Sequence, residues 1–352
     1  MTQRKQFLIT ILIIFAVLAV LSVHFLFFLE KSLNNPSSYD VLTAYRLNAL
    51  IIRFRTFDSI IAGTSMSQNF KCTDLDKITD GFSYKLTASG CKIPQTCRII
   101  DFACKKQKIH TVLMDLHTVL LMNPPPDEQS GYARYYNENS LLGDLCDGIT
   151  LWSLKDREKY YKRSRSGKNA SDWSRDDMYS WSSRFPCSRE AIAYDILSGN
   201  YTKTENYAPE PEFLPVNIHD YLIPLFRNHP DVTFYLFLPP FTPFASVVGL
   251  HYMRDARTAV MDNFLTIPNV RLYDFQGEPS VCLNYDKYRD VQHYSAEVSD
   301  WIMEQIKADN YRVTPENRHI FEKRFDDMMN AFDMEKEVEA MKEYSREHPF
   351  KM

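Results

Sequence analysis

An α/β fold, a three-layer α/β/α sandwich around a central parallel sheet with one transmembrane helix in front of it, is predicted by three observations. β-rich runs alternate with helical segments along most of the chain, the pattern of a parallel sheet covered on both faces. Several of these runs stop at glycine, proline or polar turn residues, where a strand would hand over to a helix. The N-terminus carries an uninterrupted apolar stretch.

That stretch comes first in the chain. From Phe7 to Phe28 no side chain ionises apart from His24, and about 20 such residues cross a hydrocarbon core as a helix. A cleaved signal peptide is the rival reading, but its apolar region is shorter and ends in small residues, whereas Val23-His-Phe-Leu-Phe-Phe28 is bulky. An uncleaved anchor is therefore expected. Arg4 and Lys5 precede it and Glu30 follows, so the positive-inside rule keeps the short tail in the cytoplasm and sends the rest outward. Lys31, Arg46, Arg53 and Arg55 oppose this without reversing it. The organisation read from the sequence is a tail at 1–6, an anchor at 7–29, a linker at 30–55 marked by Asn34-Asn-Pro-Ser-Ser38, and one folded domain at 56–352.

Within that domain the runs Ser59–Ala62, Tyr84–Ala88, Thr111–Leu116, Val232–Leu238 and Val270–Asp274 read as strands. Helices are expected at Thr96–Lys108, from Ser246 to about Thr266, and at Ala296–Lys307, where Ser295 caps and Glu297 suits the first turn. Thr314-Pro315 opens a last helix whose Ile320, Phe321, Phe325, Met328 and Met329 form a packing stripe. Residues 124–215 break the rhythm. They are rich in Tyr, Trp, Ser, Arg and Lys, as in Lys159–Lys168 and Trp173–Trp181, and read as an insertion, either a lid or substrate wall or a disordered or surface-covering segment.

Composition excludes some classes. With 41 basic and 45 acidic residues the net charge is −4, so there is no basic footprint for nucleic acid. The seven cysteines show no CxxC pair and no zinc-ligand spacing. A Cys91–Cys97 bridge is permissible in an oxidising compartment, yet scattered buried thiols are the expectation. Asn169 and Asn200 match the glycosylation sequon. No P-loop, GxGxxG or HExxH is present, and neither a metal nor a cofactor is implied.

The chemistry lies at the two ends of the domain. Serine is a poor nucleophile at neutral pH and needs a histidine within hydrogen-bond reach, itself oriented by a carboxylate. Gly63-Thr-Ser65 sits where the first strand turns toward a helix, which exposes the hydroxyl and aims backbone N–H groups at an oxyanion position. Asp290-Val-Gln-His293 spaces a carboxylate and an imidazole as on one helical turn. Either piece alone is common; together, in this order and with an α/β pattern between them, they mark Ser65, Asp290 and His293 as candidate catalytic residues.

Ile61-Ala-Gly-Thr-Ser-Met-Ser-Gln-Asn-Phe70 resembles the first conserved block of the SGNH/GDSL hydrolases in a Gly-Thr-Ser form, and Leu283–Ser295 resembles their Asp-x-x-His block. With the N-terminal anchor and Phe237-Leu-Pro-Pro-Phe-Thr242 after a central strand, the chain is similar to the membrane-anchored cell-envelope branch, which includes teichoic acid D-alanine transfer and alginate O-acetylation proteins. The resemblance implies a serine esterase or O-acyltransferase at the outer face of the cell membrane, acting on envelope polysaccharide or another acylated glycan beside a membrane-bound O-acyltransferase. A non-catalytic accessory or glycan-binding protein of the same fold is the alternative. The second oxyanion donor of the family falls on Gly90, for which an ordinary loop turn is the other reading. The third, an asparagine after the third strand, has no match. Asn69, four residues beyond Ser65, is the candidate substitute, against an ordinary polar helix residue. Asp115 and His117 at the end of the third strand are within reach of the site, but a structural role is the preferred reading.

Overall fold

The computed structural model describes residues 5–7, 9–17, 20, 41–126, 136, 175–199, 209–247 and 250–350. Its centre is a six-stranded sheet formed by β1 (Ser59–Gly63), β2 (Ser83–Thr87), β3 (Thr111–Asp115), β4 (Thr233–Leu238), β5 (Val270–Asp274) and β6 (Arg312–Val313), in the order β2-β1-β3-β4-β5-β6. β1 to β5 are mutually parallel, and β6 joins β5 antiparallel through Leu272 and Tyr273. The sheet is thus mixed at one edge, where an all-parallel sheet was expected. Two residues are too few to show a strand's alternation in a sequence.

Alternation along the five longer strands sends side chains to opposite faces, and both faces are packed. Ile60, Ala62, Val112, Met114, Phe234, Leu236 and Leu272 point into one apolar cluster. Ile61, Leu113, Phe237 and Tyr273 point into the other. The first cluster is closed by α1 (Val41–Phe54), α3 (Ile93–Lys106), the helical segment α5 with its π turn (Phe213–Val216, Asn217–Leu222, Ile223–Asn228) and α7 (Leu250–Phe264). The second is closed by α2 (Cys72–Thr79), α4 (Arg189–Leu197), α9 (Ala296–Lys307), α10 (Arg318–Ala331) and α11 (Met334–Glu347). Two short helices, α6 (Pro243–Val247) and α8 (Pro279–Cys282), complete the set used below.

Several expectations need correction. Residues 41–54, read as linker, form α1, and Tyr45, Leu47, Leu50, Ile51 and Ile52 are buried under the sheet. No breaker lies between Val41 and Phe54, so the helix is free to run on once an apolar surface accepts it. The single helix expected from Ser246 is α6 followed by α7. The insertion at 124–215 contains α4 and the start of α5, while much of it, with both sequons and Cys146, lies outside the described residues. The other six cysteines are free thiols, so no Cys91–Cys97 bridge forms. Most of the apolar stretch at 7–29 also lies outside the described residues. Residues 9–17 are helical, and Leu12 and Phe15 are each 67% exposed. Among the described residues no helix is long and apolar enough to cross a membrane.

The connectivity fixes where a ligand can sit. From β1 the chain crosses to β2 on one side, then returns past β1 to β3 on the other. The loops leaving β1 and β3 therefore diverge at the carboxyl edge, and that crevice is the ligand position in open parallel sheets.

Candidate active site

The turn after β1 is built around a buried carboxylate from β3. Gly63 has φ +126°, and a Cβ there would lie 2.0 Å from Asp115 Oδ1. The missing side chain lets that carboxylate reach the turn. The Thr64 amide donates to Asp115 Oδ1 at 2.8 Å and its hydroxyl to Oδ2 at 2.9 Å. Ser67 Oγ donates to Oδ1 at 2.5 Å. Burial pushes the Asp115 carboxyl above its ordinary range, against the pull of the Ser67 and Thr64 hydrogen bonds. Ser67 is thus turned into the core, while Ser65 faces a cavity of about 530 Å³.

Beside Ser65, at the same cavity, the Asp290–His293 segment is a tight loop, where one helical turn was expected. It is closed by an antiparallel bridge between Tyr288 and Tyr294 and by Arg289 N–H on His293 O at 2.9 Å. His293 Nδ1 lies 2.9 Å from both oxygens of Asp290. Asp290 Oδ1 also accepts the His293 and Gln292 amides at 2.8 and 3.0 Å. Burial opposes ionisation of Asp290, but the His293 ring and these donors outweigh it and hold the carboxyl at about 2. His293 Nε2 is 2.8 Å from Ser65 Oγ. With Nδ1 donating to a carboxylate, Nε2 is left as the acceptor for the serine proton. Tyr294 OH on Met66 O at 3.0 Å ties the two halves together, and Thr242 Oγ1 on Val291 O at 2.8 Å ties the loop to the segment after β4.

Gly90 lies just past β2, the neighbour of β1, and lines the same cavity. Its φ of +65° suits glycine, and the space above its Cα is open. Among the described residues neither the Ser65 nor the Gly90 amide donates to a protein acceptor. Asn69 is elsewhere. Only a single 3-10 turn, Ser65–Ser67, follows the serine, so a spacing of four residues does not bring Asn69 onto its face. Asn69 is 3% exposed, and its Oδ1 accepts the Trp181 and Ser182 amides at 3.1 Å each and the Ser180 hydroxyl at 3.3 Å. It is a clamp, with no place in an oxyanion site.

What Asn69 clamps is the insertion. Arg175 pairs with Asp76 at 2.9 Å, and the buried Lys85, which burial lowers to about 8, donates to the carbonyls of Gln68 and Asp176. The segment so pinned delivers Trp181, whose Nε1 donates to Ser65 O at 3.0 Å and whose ring meets His293 edge-on at 5.6 Å. Arg289 beside it stacks on Phe185 at 3.7 Å. Trp181 escaped the reading of site residues from the sequence, the aromatic run at Trp173–Trp181 being its one signal. Asp115, read as structural from its strand-end position, braces the serine turn. His117 also lines the cavity. Among the described residues no group of three His, Cys, Asp or Glu is arranged to hold a metal ion.

No family model matches the chain. No curated protein matches it either. Among solved structures the chain is similar to the lipase Lip_vut3 from a goat rumen metagenome, with 11% identity and a TM-score of 0.36 over 73% of this chain and 98% of that one.

Proposed function

We propose that this protein is a serine esterase or O-acyltransferase of the SGNH type. One observation carries the reading: Ser65 Oγ is 2.8 Å from His293 Nε2, while Nδ1 of the same ring sits 2.9 Å from Asp290. In this role His293 takes the serine proton as Oγ attacks an ester carbonyl, and Asp290 holds the tautomer and steadies the imidazolium. The free amides of Ser65 and Gly90 meet the oxyanion. Water, or a sugar or polyol hydroxyl, then takes the acyl group. The cavity wall supplied by Trp181 shields the acyl-enzyme from one side.

The finer reading is an enzyme anchored by its N-terminal segment, with the domain outside the cell membrane, acting on acyl groups of envelope polysaccharide or another glycan beside a membrane-bound O-acyltransferase. The uncharged Phe7–Phe28 run, the Arg4-Lys5 tail and the exposed apolar side chains of residues 9–17 support the anchor. The test of the chemistry is labelling of the full chain with a fluorophosphonate probe. Wild-type protein should label and Ser65→Ala should not; equal labelling of the two, or none of wild type, ends the serine-enzyme reading. For the topology, reporter fusions after Lys31 should work only outside the cytoplasm.

A further inference from the structure

His117 has no part in the steps above, yet it stands in the right place for one. It lies two residues past the end of β3, and β3 flanks β1 on the side opposite β2. The Ser65 and Gly90 amides approach the cavity from β1 and β2, and the His117 imidazole lines it from the third strand. The ring is 8% exposed and packs on Phe241 with centroids 4.9 Å apart. Nδ1 is closed off from solvent and has no partner among the described residues. Nε2 has a single partner, Gln292 Oε1 at 3.4 Å, longer than an ordinary hydrogen bond.

A neutral imidazole carries one proton, and placing it on Nδ1 would bury an orphan donor. With the proton on Nε2, Gln292 Oε1 accepts it weakly and Nδ1 is left as a buried acceptor. Burial lowers the ring's pKa to about 4, and nearby His293 adds to the effect, so His117 is neutral at ordinary pH. A neutral N–H stabilises a developing alkoxide without competing for the serine proton.

We propose that His117 Nε2–H is a third donor to the oxyanion, exchanging its long contact with Gln292 for a short bond to the substrate oxygen. The inference rests on the serine-hydrolase reading. As the Oγ–C bond forms, the carbonyl π pair moves onto oxygen, the Ser65 proton passes to His293 Nε2, and His117 keeps its own proton. On collapse the pair returns to carbon, and the leaving oxygen departs with the proton held by His293.

The test measures kcat and KM for p-nitrophenyl acetate with the full chain in detergent. His117→Phe keeps the packing on Phe241 but has no donor. His117→Gln places an amide N–H about as far out as Nε2, whereas His117→Asn reaches only about as far as Nδ1. His117→Phe should lower kcat about 100-fold with little change in KM, and His117→Gln should recover about tenfold or more of that loss, as expected for one oxyanion donor. A folded His117→Phe with wild-type kcat, or His117→Gln as slow as it, overturns the inference. Should His117→Phe not fold, the amide pair decides: Gln faster than Asn supports the inference, and Asn equal or faster overturns it. Loss of the inference alone leaves wild-type turnover and probe labelling intact. A wild type that neither labels nor turns over removes both readings together.

Discussion

The serine half and the histidine half of the site are each organised by one carboxylate, and the two differ in reach and in charge. Asp115 holds the serine turn from another strand, through donors 48 and 51 residues away in sequence, all of them neutral. Its burial favours the protonated form. Asp290 holds the histidine from within its own loop, three residues away, and is kept ionised far below the ordinary range. The first is therefore a clamp made by the fold, and the second an ion-pairing orienter made by local sequence. Removing the first should damage the structure before the chemistry; removing the second should do the reverse.

The sharpest break comes at the reacting atoms, where the halves meet. Ser65→Ala and His293→Ala should each lower ester turnover about 10⁶-fold, and the double variant should fall little further, because groups that act as one unit are strongly non-additive. Asp290→Asn leaves the proposed nucleophile and base in place and should cost about 10⁴-fold in kcat, with the thermal midpoint changed less than by Asp115→Ala. Asp115→Ala strands two hydroxyls and an amide in the core. It should lower unfolding free energy by about 4 kcal/mol in urea titrations, at roughly 1–3 kcal/mol for an unsatisfied buried group, with Asp115→Asn closer to wild type.

Acid titration separates the halves again. His117 has a folded value of about 4 against 6.5 unfolded, so the unfolded chain takes up the proton first. Stability should fall by up to about 3 kcal/mol as pH drops from 6.5 to 4, and His117→Phe should flatten that slope. Asp290, at about 2 against 3.8, contributes stability that is retained above pH 3.8 and lost only as pH falls toward 2. The smallest effect belongs to Ser67→Ala, which removes one of three donors to Asp115. About 1 kcal/mol of stability by thermal unfolding is expected, with ester turnover close to wild type.

The same contrast explains what could be read from the sequence. Five strands and the segments Gly63-Thr-Ser65 and Asp290-x-x-His293 are local patterns; the strands lie where the alternation put them, whereas the last segment, read as one helical turn, is a loop closed by Tyr288 and Tyr294. Asp115 holds Thr64 and Ser67 across 51 and 48 residues, and Trp181 reaches Ser65 across 116, separations that no periodicity encodes. Asn69 misled for a related reason: a helical spacing was assumed where the chain makes a single 3-10 turn. The helix α1 was hidden by the polar stretch before it, since its burial depends on a sheet that forms later in the chain.

Gly63 and Asp115 occupy one volume between them, the carboxylate oxygen standing where a methyl group would otherwise be. In a genetic screen neither position can drift by itself. A side chain at Gly63 displaces the oxygen that receives the Thr64 amide and the Ser67 hydroxyl, and a bulkier acid at position 115 collides with the glycine backbone. Revertants of an inactive Gly63→Ala strain should therefore arise at codon 63 itself, because the φ of +126° strains any side chain there even when position 115 gives way, and a random library covering both codons should return its active clones with glycine at 63.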